Sequence, residues 1–387
     1  MRAAHDDLGF GRNHALKILQ FYRTYLPASQ GGIEEAIRQI CISTGKHGAE
    51  HRVLTLAPVD RVETLERPEA RVIRVPLQWE PSSCSMGIAT FRAYREQAQW
   101  ADVIHIHYPW PFADLVHLLS MVDKPVVVTY HSDIMRQRRL ELLYRPLRSL
   151  FLSRVDRLIS TSPGYQRNSP VLQRFADKCE VIPLGLCPDT YAEPQLEALD
   201  AVRQLYGEGF FLFVGVLRYY KGLHVLLQAA AESGLPVIIA GSGPEEAELK
   251  RKARELDVDN VVFAGFVTDE VKAALFTLCR AVVFPSCLRS EAFGVTLLEG
   301  QLYSRALISC EIGTGTSYVN QHDETGFVVP PNDASALATA MGKLNDDPEL
   351  AAAMGEAGHR RLQTLFSGER VGREYIRVYQ ELLGVGG

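Results

Sequence analysis

The residues best suited to chemistry lie between Phe284 and Gly300, which reads F-P-S-C-L-R-S-E-A-F-G-V-T-L-L-E-G. An apolar run of Ala281, Val282 and Val283 precedes a polar loop, and Phe293 and Gly294 lie between Glu291 and Glu299. The pattern is strand, loop, helix start. A helix beginning near Gly294 turns unpaired N–H groups and the positive end of its dipole toward an anion such as a diphosphate. Glu291 then sits in the loop beside the anion. Glu299 lies about one and a half turns inside the helix, where its carboxylate can accept hydrogen bonds from vicinal hydroxyls. Two acids and an anion seat suggest a nucleotide-sugar site, although a surface helix with solvated glutamates has the same spacing.

Other groups could converge on such a site. Arg218 and Lys221 stand three residues apart after the apolar run F-F-L-F-V-G, and a fork and a point charge can together hold a diphosphate. Gly31 and Gly32, in T-Y-L-P-A-S-Q-G-G, would let a ligand approach the backbone closely, or would simply make a turn. The G-x-G-x-x-G fingerprint is missing there, which argues against a nicotinamide dehydrogenase. His131 follows the run V-V-V-T-Y and is placed to project into a cleft or to serve as a satisfied core histidine. His105 and His107 share one face of their strand but lack a third metal ligand, which favours core or supporting roles.

The chain of 387 residues suits two domains of about 170 to 200 residues each. Its 47% hydrophobic and 22% charged residues are those of a globular protein that buries cores. No apolar run approaches the roughly 18 residues of a transmembrane helix, and Met1 to His14 is polar, a disordered extension rather than a signal peptide. Seven cysteines without a C-x-x-C pair fit a reducing cytosol. Residues 1–190 carry 24 Lys and Arg against 20 Asp and Glu, and the remainder 17 against 26, so +4 and -9 make up the net -5. That balance disfavours nucleic acid as a partner.

Strands and helices alternate throughout. Strands are expected at 16–22, 51–57, 72–75, 103–107, 126–130, 158–162 and 181–185, then at 210–215, in V-I-I-A-G-S-G-P at 237–244, and at 261–267, 281–283 and 307–309. This gives an α/β chain of two Rossmann-like domains facing a cleft, at 16–190 and 210–365. A linker at 191–209 joins them, and an amphipathic helix over roughly 368–383 crosses back to the first domain. Residues 134–157 hold seven arginines against two acids, interleaved with Leu, Phe and Tyr. Such a segment can lie on an anionic membrane or be a solvated helix packed on its domain, with Pro146 kinking or starting it.

In this order the motifs identify a family. The chain resembles the retaining glycosyltransferases of family 4, of GT-B architecture, from Leu16 to near its end. The resemblance is carried by G-G at 31–32, T-Y-H-S-D around His131, G-V-L-R-Y-Y-K-G at 215–222, G-S-G-P at 241–244 and E-A-F-G-V-T-L-L-E at 291–299. It implies that Arg218 and Lys221 grip the donor diphosphate, that Glu299 binds the ribose, and that Glu291 contacts sugar hydroxyls. It further implies that His131 lies near the reacting centre, that Gly32 approaches the phosphate and Gly31 the acceptor, and that the stretch around Val267 meets the base. Phe293, Gly294 and Val295 complete the donor-binding stretch. Where many relatives have Gly-Gly followed by Glu, this chain has G-T-G-T-S-Y-V-N at 313–320. That variant looks most like bacterial enzymes building O-antigen or other surface polysaccharides from GDP-mannose or GDP-rhamnose. A polyprenyl-diphosphate-linked glycan acceptor and a cytoplasmic place, peripheral at the inner membrane, follow from that likeness.

The chemistry then needs no cofactor. Breaking the sugar–phosphate bond leaves charge on the β-phosphate, which cations and a helix N-terminus stabilise; one such donor is worth ~3–4 kcal/mol. No Asp-x-Asp motif stands out as a metal clamp, so no metal is expected. The acceptor attacks on the leaving-group face, with retention. The architecture also suits a nucleotide-sugar 2-epimerase, a phosphorylase, a UDP-sugar-dependent transferase or a silent sugar-binding partner.

Overall fold

The computed structural model describes residues 15–134 and 138–385; the proposed N-terminal extension lies outside them. Runs such as V-V-V-T-Y and A-V-V-F are buried along their whole length, as strands covered on both faces must be. Eight strands form the first sheet: β1 (Leu16–Phe21), β2 (Ala49–Ala57), β3 (Glu63–Glu66), β4 (Arg71–Pro76), β5 (Val103–Tyr108), β6 (Val126–Tyr130), β7 (Arg157–Ser160) and β8 (Cys179–Val181). Their order is β3-β4-β2-β1-β5-β6-β7-β8, parallel except for β3. Six make the second: β9 (Phe211–Val214), β10 (Val237–Ala240), β11 (Val261–Gly265), β12 (Ala281–Phe284), β13 (Ala306–Cys310) and β14 (Gly326–Val329), in the order β11-β10-β9-β12-β13-β14. Each sheet reverses its strand order once, between β1 and β5 and between β9 and β12, and ligands bind beyond the strand ends at such points.

Several boundaries differ from the sequence reading. The polar strand β3, E-T-L-E, has no apolar alternation to betray it and exists because β4 pairs with it at the sheet edge. The seventh strand ends at Ser160, and 182–185 leaves the sheet after β8. Residues 191–209 are not a plain linker: Leu196–Tyr206 is a helix whose Val202 is buried in one cluster with Leu275 and Leu278 of the second domain. Pro146 lies inside the helix Arg138–Arg154 rather than at its start.

The last helix, Gly368–Leu382, lies on the first domain, where Tyr375, Val378 and Tyr379 cover Ile18, Val103, Val127 and Ile159. It gets there at a crossing point where Leu186 N donates to Phe366 O at 2.9 Å and Gly368 N to Leu186 O at 2.7 Å. A Cβ on Gly368 would stand 2.2 Å from Cys187 Sγ, so glycine is what lets the two passing chains touch.

Candidate active site

The loop after β12 is seated by backbone contact with the loop after β9. Gly222 has φ +68°, and a Cβ there would lie 1.9 Å from Pro285 O. This contact brings Lys221 Nζ to 2.6 Å from Glu291 Oε2, with both side chains nearly buried. Ser286 Oγ donates to the same oxygen at 3.2 Å, and the Lys221 ammonium stands 4.6 Å from the centre of the Phe284 ring. The two cations therefore do not act as an equivalent pair: Lys221 is held by Glu291, while Arg218 is exposed. Arg218 acts across the cleft. Burial raises the Tyr22 phenol after β1, and Arg23 with Arg218 opposes that rise.

Two helix N-termini meet opposite each other. Gly294, at φ +91°, is the N-cap of the helix Val295–Leu302, and Gly32 begins the helix Gly32–Gly45. A Cβ on Gly32 would come 3.9 Å from Val295 Cγ2, ordinary van der Waals contact, so the two helix starts approach closely. Glu34, in the first turn, is turned toward its own loop, where its Oε1 accepts from Thr24 and Ser29 at 2.8 and 2.7 Å. A Cβ on Gly31 would lie 2.7 Å from Glu34 Oε2, so a larger residue there would displace the end of the Glu34 side chain. Phe293 is buried against Phe366.

Glu299 is buried, and Lys272 Nζ stands 3.0 Å from its Oε1. Burial raises the Glu299 carboxyl while Lys272 lowers it, and the Lys272 ammonium is in turn raised chiefly by Glu299. Lys272 escaped the sequence reading, although it follows Val267 closely in V-T-D-E-V-K. Val267 is half-buried two residues beyond the end of β11, and its neighbour Phe266 is exposed.

His131 is buried at the end of β6, with His107 Nδ1 3.0 Å from its Nε2. Lacking a countercharge, burial pushes His131 down to about 3, so the ring is neutral. His105 is a core residue between Thr129 Oγ1 at 2.7 Å and Tyr379 OH at 2.8 Å.

The G-T-G-T loop supplies support where an acid was missing. Gly315 N donates to Ala292 O at 2.7 Å, and a Cβ on Gly315 would strike that oxygen at the same distance. Arg289, also unforeseen, donates to Gly313 O at 3.0 Å and to Asn168 O at 3.2 Å, and lies 3.8 Å from Asp133 of the first domain. These partners are far apart in sequence, and no local pattern signals them.

Among the described residues no three His, Cys, Asp or Glu side chains gather as a metal site. One Asp-x-Asp triplet, Asp257-Val258-Asp259, does occur, but in the turn entering β11, at the sheet edge away from the cleft. A cavity of 540 Å³ lined by His117, Met121, Lys124 and Asp156 likewise lies at the opposite end of the first sheet.

The fold has solved counterparts. Sucrose-phosphate synthase from Thermosynechococcus elongatus superposes with a TM-score of 0.80 over 96% of this chain and all of its own, at 24% identity. The molecule is thus a GT-B protein, two Rossmann-like domains about one cleft. Residues 31–185 match the glycosyl transferase 4-like domain and residues 199–361 the model of glycosyl transferases group 1. D-rhamnosyltransferase WbpZ of Pseudomonas aeruginosa is 48% identical over 91% of this chain and 92% of its own length. O-antigen chain mannosyltransferase C of Escherichia coli is 43% identical over 95% of this chain and 99% of its own. The chain belongs to the group 1 glycosyl transferases and is a glycosyltransferase; the epimerase alternative finds no support among these relatives.

Proposed function

We propose that the protein moves mannose or rhamnose from a GDP-sugar, with retention and without a metal, to a polyprenyl-diphosphate-linked glycan of an O-antigen or similar surface polysaccharide. The observation that carries this reading is the meeting of the Gly32 and Val295 helix N-termini beside the Lys221–Glu291 pair. In this reading the amide hydrogens and Lys221 hold the diphosphate, Glu299 takes the ribose and His131 the sugar. The leaving phosphate gains charge as the sugar departs, and Lys221 and Arg218 stabilise it. The names of the rhamnosyl- and mannosyltransferase relatives support the sugar.

Thermal-shift measurement with GDP, UDP and ADP tests the donor, since each ligand stabilises in proportion to its affinity for the folded state. GDP is expected to protect most; protection by UDP without GDP would reject the donor.

Peripheral attachment to an anionic membrane is part of the same reading. No helix among the described residues is long and apolar enough to cross a membrane. The helix Arg138–Arg154 exposes Leu142 and Leu143 at 58% and 80%, beside the half-exposed Arg145. Arg148 is turned inward onto Glu141 at 2.8 Å and is not available to lipid. Arg145→Glu combined with Leu143→Glu is expected to abolish sedimentation with vesicles containing phosphatidylglycerol; undiminished binding refutes attachment through this helix.

A further inference from the structure

A buried run of hydrogen bonds leads from His131 to the far half of the Gly32 helix, and its direction is fixed at the distant end. Thr44 Oγ1 lies 2.6 Å from the Ile40 carbonyl oxygen, which can only accept, so the one hydroxyl proton sits between them. The same hydroxyl oxygen is 2.7 Å from His51 Nε2 and must accept from it. Burial pushes His51 down to about 3, which keeps the ring neutral and its Nδ1 bare. The group facing that nitrogen is the Gln20 amide nitrogen, 3.3 Å away, which donates to it. Gln20 Oε1 consequently faces His107 Nε2 at 2.8 Å and accepts its proton. His107 Nδ1 is then bare and accepts from His131 Nε2 at 3.0 Å. Each member is at most 4% exposed, so water does not compete within the run. With its proton on Nε2, His131 has a bare Nδ1, which has no protein partner among the described residues.

We propose that Thr44, His51, Gln20 and His107 are positioning residues that hold His131 as a neutral ring protonated at Nε2, presenting Nδ1 as a hydrogen-bond acceptor to a hydroxyl of the donor sugar. The proposal rests on the reading that the sugar lies at His131. Its chemical sense is electrostatic. As the bond to the departing phosphate breaks, the sugar becomes positively charged; an acceptor on its hydroxyl supports that charge, whereas an imidazolium would oppose it.

The test uses the full chain labelled with ¹⁵N-histidine near neutral pH. Two-bond ¹H–¹⁵N correlations are expected to show His131, His107 and His51 protonated at Nε2 and bare at Nδ1, each assigned by the signal lost in its own asparagine variant. Hydrolysis of GDP-mannose to GDP and mannose, with water as the acceptor, gives a second measurement. In His107→Gln the amide can still accept from His131 and donate to Gln20, and kcat is expected to stay within about threefold of wild type; His107→Leu can do neither and is expected to lose about tenfold or more. An Nδ1-protonated or doubly protonated His131 overturns the relay whatever the activity. Wild-type turnover in His131→Ala, with the expected tautomers in the parent, removes the sugar from this ring and overturns the positioning role. A parent enzyme silent toward GDP-mannose counts against the donor reading alone, because the spectrum reads the relay without substrate.

Discussion

At the scale of single residues, the Lys221–Glu291 pair is where position and charge meet. Each side chain is about one-eighth exposed, and each neutralises the other at 2.6 Å before a donor arrives. A bound diphosphate would draw on the ammonium and leave the carboxylate free to accept from sugar hydroxyls. Lys221→Ala and Glu291→Ala are each expected to lower transfer by about 10²–10³ in kcat, the scale for losing one charge-stabilising group. Circular dichroism of both variants should match wild type. Full activity in both purified variants refutes the assignment. Glu299 and Lys272 form a second such pair, deeper in the domain, in which burial raises the Glu299 carboxyl and the ammonium opposes that rise.

At the scale of elements, glycines decide how close the loops and helices come, and two of them make opposite predictions. Gly222 has both a left-handed backbone and no room, so Gly222→Ala is expected to destabilise the second domain by more than ~1 kcal/mol and to move Pro285 with it. Gly32 has ordinary backbone angles and meets Val295 only at van der Waals distance. Gly32→Val should therefore fold with an unchanged melting temperature yet lose GDP protection, because the added methyl groups fill the gap between the two helix N-termini. A melting temperature that falls with the activity would make Gly32 a packing residue instead.

At the scale of the whole molecule, the C-terminal helix closes the first domain over a buried histidine layer. His51, His105, His107 and His131 are all held below their usual range, by burial first. Unfolded histidines take up protons as pH falls below 6.5, and the folded ones at His51 and His131 do so only near 3. Stability is thus present above the unfolded value and lost as pH drops through this window, at up to ~1.4 kcal/mol per pH unit for each histidine. Urea unfolding between pH 7 and 5.5 should show that loss, and His51→Gln should flatten it by one histidine's share; an unchanged slope would mean that His51 is not held neutral. Much of this architecture was legible in the sequence. Apolar runs ending in glycine or histidine, with helices between them, dictate parallel strands whose ends carry ligands, and the spacing of Glu291 to Glu299 places a helix N-terminus between two acids. Local periodicity records burial and nothing about partners. The tertiary structure alone decided that Lys221 faces Glu291 while Arg218 stays exposed, that Lys272 pairs with Glu299, that Arg289 bridges to Asp133, and that Gln20 orients His107. Those choices depend on side chains brought together from distant parts of the chain by sheet order and by contacts through glycine, which no stretch of sequence encodes by itself.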